Sequence, residues 1–126
     1  MSDIAAIIDA RVLVTGVTGW VAGPLATSLA AAGNEVFGAA RFADPAQREP
    51  LEAAGVRTVS IDLAADRLDE VPADLDLVLH FAVAKASDFE VAFAANAEGS
   101  ANLMEVASQR SDRLRAFLHC SSTAVY

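Results

Sequence analysis

Short, wholly apolar runs alternate along this chain with longer segments of helical periodicity. Val12-Leu13-Val14 is compact, rich in β-branched side chains, and passes directly into a glycine loop, which predicts a first strand. Trp20 to Ala32 predicts a helix stopped by Gly33, a residue suited to the position just past a helix C-terminus. Val36 to Ala40 predicts a second strand. Asp44-Pro45 joins an N-capping acid to a proline at the first helical position. Pro50 interrupts that segment, so a turn is expected first and a regular helix from Glu49 to Ala54, before Gly55. Val56 to Ile61 and Leu75 to His80 predict two further strands. Ser87-Asp88-Phe89-Glu90 reads as a capping box opening one long helix to Gln109, and Ala116 to Ser121 predicts a fifth strand. The first ten residues allow either a short helix or an ordered tail.

Strands that are apolar on both faces and separated by helices indicate a parallel sheet covered on both sides. With right-handed crossovers and a glycine loop after the first strand, the expected fold is α/β. It is a Rossmann-like doubly wound parallel sheet of strand order 3-2-1-4-5, ending after the fifth strand. Residues 1–126 form a single domain on this reading.

Composition narrows the function. Hydrophobic residues make up 54% and charged ones 21%, which suits a packed globular chain and excludes a disordered tail. The net charge of -8 argues against nucleic acid as a partner, because phosphate contacts need a clustered basic surface. An anionic cofactor is still compatible, since a helix N-terminus and one or two cations bind a pyrophosphate locally. Cys120 stands alone and cannot form an internal disulfide, as in a reducing compartment. No apolar run approaches the roughly 20 residues of a membrane span. Met1-Ser2-Asp3 lacks the positive start of a signal peptide, so a cytoplasmic protein with no membrane partner is expected.

The candidate chemistry begins at Thr15-Gly16-Val17-Thr18-Gly19-Trp20-Val21-Ala22, between a predicted strand and a predicted helix. Gly16 and Gly19 permit a tight turn, so that backbone N–H groups around Thr18, Trp20 and Val21 approach a pyrophosphate at the helix N-terminus. A phosphate loop of the Gly-Lys-Ser/Thr kind is excluded, because no such triplet follows. At the end of the second strand the chain reads Gly38-Ala39-Ala40-Arg41, without a carboxylate for a ribose 2′-hydroxyl. Arg41 suits a 2′-phosphate, which favours NADP over NAD. Two other readings stand beside it: Arg41 as a solvated loop residue, and Asp44 as the ribose ligand.

The pattern T-G-x-x-G-x-x-G/A resembles the extended short-chain dehydrogenase/reductase family, of the NAD-dependent epimerase/dehydratase type. Ala22 stands at the third glycine. Pro24 is unusual so early in the helix and is expected to delay its start or cost one backbone bond. Other segments extend the resemblance from Arg11 to Tyr126. Asp62-Leu63 falls where the family sets an acid and an apolar residue at the adenine, although a strand-end Asp is also a common turn cap. His80-Phe81-Ala82-Val83-Ala84-Lys85-Ala86 is similar to a segment of UDP-galactose 4-epimerases. There the resemblance implies that Phe81, Ala82 and Val83 lie against the cofactor and that Lys85 reaches the nicotinamide-side ribose. Lys85 also reads as an ordinary surface lysine, and His80 as a hydrogen-bonded core histidine. Asn96-Ala97-Glu98-Gly99-Ser100-Ala101-Asn102-Leu103 resembles the family's N-x-x-G-T-x-N-L, which implies that Asn96 supports the wall of the site. Gly99 within a helix costs about 1 kcal/mol against alanine, so it needs a packing reason.

Cys120-Ser121-Ser122-Thr123-Ala124-Val125-Tyr126 matches the family's S-S-x-x-V-Y, which implies a catalytic role for Ser122. Thr123-Ala124 replaces the Asp-Glu of the 4,6-dehydratases and argues against that dehydration. The family's acid–base pair, Tyr-x-x-x-Lys, is not among these residues: the single tyrosine is Tyr126. The chain is accordingly expected to be the front half of an enzyme transferring hydride to or from a nucleotide sugar or similar hydroxyl/carbonyl substrate. A natural short protein is the alternative to truncation, and a non-catalytic NAD(P) sensor the alternative to an enzyme. A structural domain without cofactor stands third. The resemblance implies a homodimer through helices on one sheet face, and the fifth strand presents an unpaired edge.

Overall fold

The computed structural model describes residues 7–65, 67–83 and 88–120, and in it each apolar run becomes a strand. Strand β1 (Arg11–Thr15) leads through the glycine loop to helix α1 (Ala22–Ala31). Strand β2 (Glu35–Ala40) is followed by a 3-10 turn (Pro45–Gln47) and by α2 (Arg48–Ala53). Strands β3 (Arg57–Ser60) and β4 (Leu77–His80) come next. The following helical arm has three parts: α3 (Phe89–Phe93), a π-helical turn (Ala94–Glu98) and α4 (Gly99–Gln109). Strand β5 (Ala116–His119) ends the described chain. All pairings between these five strands are parallel, in the order β3-β2-β1-β4-β5 that the alternation of elements implies.

Two apolar layers cover the sheet because alternate strand residues point to opposite faces. Val12 and Val14 face Ala22, Ala26 and Leu29 of α1 and Leu51 of α2. Leu13 faces the other way, in a layer with Phe37, Val78 and Leu103 and Ala107 of α4. Each such fully buried Val or Leu stabilises the fold by about 1.5–3 kcal/mol. No described helix is long and apolar enough to cross a membrane.

Several boundaries differ from expectation for identifiable reasons. Helix α1 starts at Ala22, not Trp20, which places Pro24 in the first turn, where a missing N–H costs no helical bond. Its far end closes as expected, with Gly33 N donating to Ala30 O and Asn34 N to Leu29 O. Asn34 then ties down the chain before β1: its Oδ1 accepts from Ala10 N and its Nδ2 donates to Ile7 O. Asp44 caps the turn at Pro45 by accepting from Ala46 N. The long arm is capped by Asp88. The Asp88 carboxylate accepts from Glu90 N and Val91 N, while Ser87 lies outside the described residues. The arm is also not one helix, since the π-helical turn interrupts it in front of Gly99. Strand β4 begins at Leu77, two residues later than expected, and Asp74 upstream of it takes a left-handed conformation (φ 58°). The last residue expected in β5, Ser121, lies outside the described residues.

Candidate functional site

A cleft of about 360 Å³ opens at the C-terminal ends of the strands, where β1 and β4 diverge into their loops. Gly16, at the end of β1, adopts φ +70°, and an added Cβ would stand 2.9 Å from Ala82 N. Only glycine lets the first loop lie against the backbone after β4. The loop then curls tightly, with Gly19 N donating to Gly16 O at 2.9 Å and Val17 N to Ala39 O at 3.2 Å. It leads directly into the N-terminus of α1, the positive end of that helix's dipole.

Behind the glycine loop runs a buried polar network. Thr15 Oγ1 lies 2.6 Å from His80 Nδ1, and His80 Nε2 lies 2.7 Å from Ser100 Oγ. Ser100 Oγ donates to Asn96 O, so its lone pairs accept the His80 Nε2 proton. His80 Nδ1 is then an acceptor and takes the Thr15 hydroxyl proton. The same Thr15 oxygen accepts from Phe81 N at 3.0 Å and Ala82 N at 3.1 Å. Every hydrogen in the chain has a direction. His80 is completely buried, as a core histidine should be, and desolvation lowers its pKa from 6.5 to about 4, with His119 nearby adding repulsion. It is therefore neutral at physiological pH, a hydrogen-bonded strut and not a general acid. Thr15 and Ser100 were not singled out in the sequence, since their partners lie 65 and 20 residues away.

The cleft gathers Gly16, Thr18, Gly19, Arg41, Asp62, Leu63, Phe81, Ala82 and Val83. It also takes Ala40, Ile61, Ala64 and Ala95, which sequence reasoning missed because small and apolar residues carry no chemical signature. Trp20 and Val21 do not line it; Trp20 is 97% exposed. Asn96 sits in the π-helical turn beside the cleft and contributes its carbonyl to Ser100. Lys85, Ser122 and Tyr126 lie outside the described residues.

Three details sharpen the chemistry. Arg41 is exposed at the cleft and forms no ion pair with a described residue. Asp44 uses a carboxylate oxygen on Ala46 N and is not among the cleft residues. Asp62 Oδ1 accepts from Ala64 N and Ala65 N, so it caps a turn while also facing the cleft. The turn after Asp62 packs against Gly99, where a Cβ would meet Leu63 Cβ at 2.7 Å, which is the close approach a helical glycine called for. No group of metal-ligating side chains occurs among the described residues. A glycine loop leading into a helix N-terminus, with an exposed cation that no described residue pairs at the rim, fits a phosphate-bearing ligand.

The profile of the NAD dependent epimerase/dehydratase family matches residues 12–126. Among solved structures, the chain is similar to a short chain dehydrogenase/reductase family protein at 26% identity and a TM-score of 0.66, covering 81% of this chain and 49% of that one. It is similar to Pseudomonas aeruginosa RhlG, solved as an NADP active-site complex, at 25% identity and a TM-score of 0.65, covering 86% and 47%. BdcA in complex with NADPH, at 18% identity and a TM-score of 0.71, shares the fold over 85% of this chain and 49% of its own. The chain spans about half the length of these structures. No curated protein sequence matches at a significant level.

Proposed function

The chain belongs to the NAD-dependent epimerase/dehydratase family, and from that premise we propose that it is the dinucleotide-binding portion of an enzyme acting by hydride transfer. The substrate proposed is a nucleotide sugar or a similar hydroxyl/carbonyl compound, and the preferred cofactor is NADP. One observation carries the reading: Gly16 closes against Ala82 with no room for a side chain, which leaves the backbone of the Gly16–Gly19 loop facing the cleft.

In this proposal the N-terminus of α1 and the Gly16–Gly19 loop hold the pyrophosphate. Asp62 and Leu63 border the adenine, and Phe81, Ala82 and Val83 form the wall beside the nicotinamide half. The bound nicotinamide supplies or accepts the hydride. Lys85 is assigned to the nicotinamide-side ribose and Ser122 to a hydrogen bond with the reacting substrate oxygen, both from family resemblance. The network from Thr15 to Asn96 holds the loops of β1 and β4 at a fixed spacing. The preference for NADP rests on Arg41, which has no described carboxylate partner, and on the commitment of Asp44 to its own turn.

A non-catalytic dinucleotide sensor is the second reading, distinguished from an enzyme by whether Tyr-x-x-x-Lys occurs elsewhere in the protein. Both readings require binding, and Trp20 on the loop is a built-in reporter. Titration of the 126-residue chain with NADPH and NADH, followed by Trp20 emission, should give saturable binding tighter for NADPH. A folded chain that binds neither overturns both.

A further inference from the structure

Immediately after Arg41 the backbone does something that an aromatic residue resists. Phe42 has φ +50°, a left-handed conformation that any residue with a Cβ adopts only at an energetic cost. Something must hold it there, and two contacts do. Its ring is buried in the layer that contains Leu51 and Val56. The outer side of the ring is covered by the Arg48 guanidinium, 4.6 Å from its centroid. Arg48 is itself fixed: its Nη1 donates to Thr58 Oγ1 at 3.1 Å, and that hydroxyl donates to Glu52 Oε1 at 2.6 Å. Upstream, the Arg41 carbonyl accepts from Ser60 Oγ of β3 at 3.4 Å. The backbone of Arg41 thus lies between a strand tether and a buried anchor, while its side chain stays exposed at the cleft.

We propose that Phe42 is a positioning residue for coenzyme choice: its anchored ring and left-handed backbone hold Arg41 at the cleft rim, where the guanidinium meets the 2′-phosphate of NADP. This rests on the reading that the cleft binds a dinucleotide with Arg41 at that phosphate. A long arginine on a free loop samples many rotamers, and ordering it on binding would erode the gain from one charge-assisted hydrogen bond. A backbone that is already fixed removes part of that cost. Selectivity then belongs to the pair, and removing either member should abolish the same discrimination.

The test is the ratio of Kd for NADH to Kd for NADPH, read from Trp20 emission on the full 126-residue chain and on variants checked by circular dichroism. The unaltered chain should favour NADPH by about tenfold or more, the scale of one hydrogen bond to a charged group. Arg41→Ala should bring the ratio to about one. Phe42→Ala should do nearly the same while changing Kd for NADH less than about twofold, and the double variant should add nothing further. Phe42→Leu, which keeps an apolar anchor, should retain most of the ratio. If Phe42→Ala does not fold, Phe42→Gly relieves the backbone strain and should fold with the ratio lost. Equal weakening of both cofactors in the Phe42 variants would show a merely structural role and overturn the proposal, as would an unchanged ratio. A chain that shows no NADPH preference, or whose preference survives Arg41→Ala, rejects the Arg41 reading itself and the proposal with it. A preference that Arg41→Ala removes and Phe42→Ala keeps rejects only the role of Phe42.

Discussion

The two ends of the sheet are held by different polar chemistry. At the N-terminal ends of the strands, charges meet charges: Arg11 pairs with Glu35 at 2.6 Å, Arg57 with Glu35 at 3.2 Å, and Arg113 with Asp76 at 3.2 Å. At the C-terminal ends of β1 and β4 the bracing bonds are neutral, hydroxyl to imidazole to hydroxyl, and Arg41 at the end of β2 forms no ion pair with a described residue. An ion pair at the cleft would compete with an anionic ligand for the same guanidinium. Neutral hydrogen bonds brace the loops without consuming charge, so the arrangement separates holding the fold from receiving the ligand.

The largest expected effect comes from the cleft end. Gly16→Ala places a Cβ on backbone atoms of Ala82 at a positive φ, where neither partner is a flexible side chain. We expect a loss of about 2–4 kcal/mol in denaturant unfolding, together with loss of saturable NADPH binding in the Trp20 titration. Near-normal binding by this variant would break the account of the glycine cradle.

Acid separates the two ends. His80 has its pKa lowered to about 4 by desolvation, against 6.5 when unfolded, so the unfolded chain binds the extra proton between those values. Its neutral, buried state contributes fully above pH 6.5, and about 3 kcal/mol should be lost as the pH falls from there to about 4. Asp76 behaves differently. The Arg11 N–H, followed by the Arg113 charge, holds its carboxyl below the ordinary 3.8, so its contribution disappears only below that value. Unfolding free energies measured across this range should fall in the first window for the unaltered chain. In Thr15→Val the whole curve should lie lower.

That variant also measures the network directly. Thr15→Val leaves Phe81 N and Ala82 N without their acceptor and should cost about 1–3 kcal/mol, whereas Thr15→Ser should restore most of it. The smallest effect belongs to the opposite end: Arg57 is mostly exposed, and Arg57→Ala should cost no more than about 0.5–1 kcal/mol, less at high salt. Equal costs for Thr15→Val and Arg57→Ala in chemical denaturation would erase the contrast between the two ends.

Strand positions and parallel order were legible because a sheet covered on both faces demands runs such as Val12-Leu13-Val14, apolar without alternation. Gly16, Gly33 and Gly99 were legible for a related reason, since each stood where a side chain would make trouble. The interruption of the long arm was not. It lies directly before Gly99, where Leu63 packs closely, and no local periodicity records a contact between residues so far apart.

Local chemistry therefore determined the element types, the glycine cradle and the presence of an arginine where the second strand ends. These depend on neighbours in the chain: backbone freedom, capping groups and apolar runs act within a few residues. Tertiary structure decided which hydroxyl faces His80, which carboxylates are already committed, and that Phe42 turns left-handed under Arg48. Such outcomes belong to close packing, where a buried polar atom must find a partner wherever the fold brings one, and where a strained backbone persists only because distant side chains hold it.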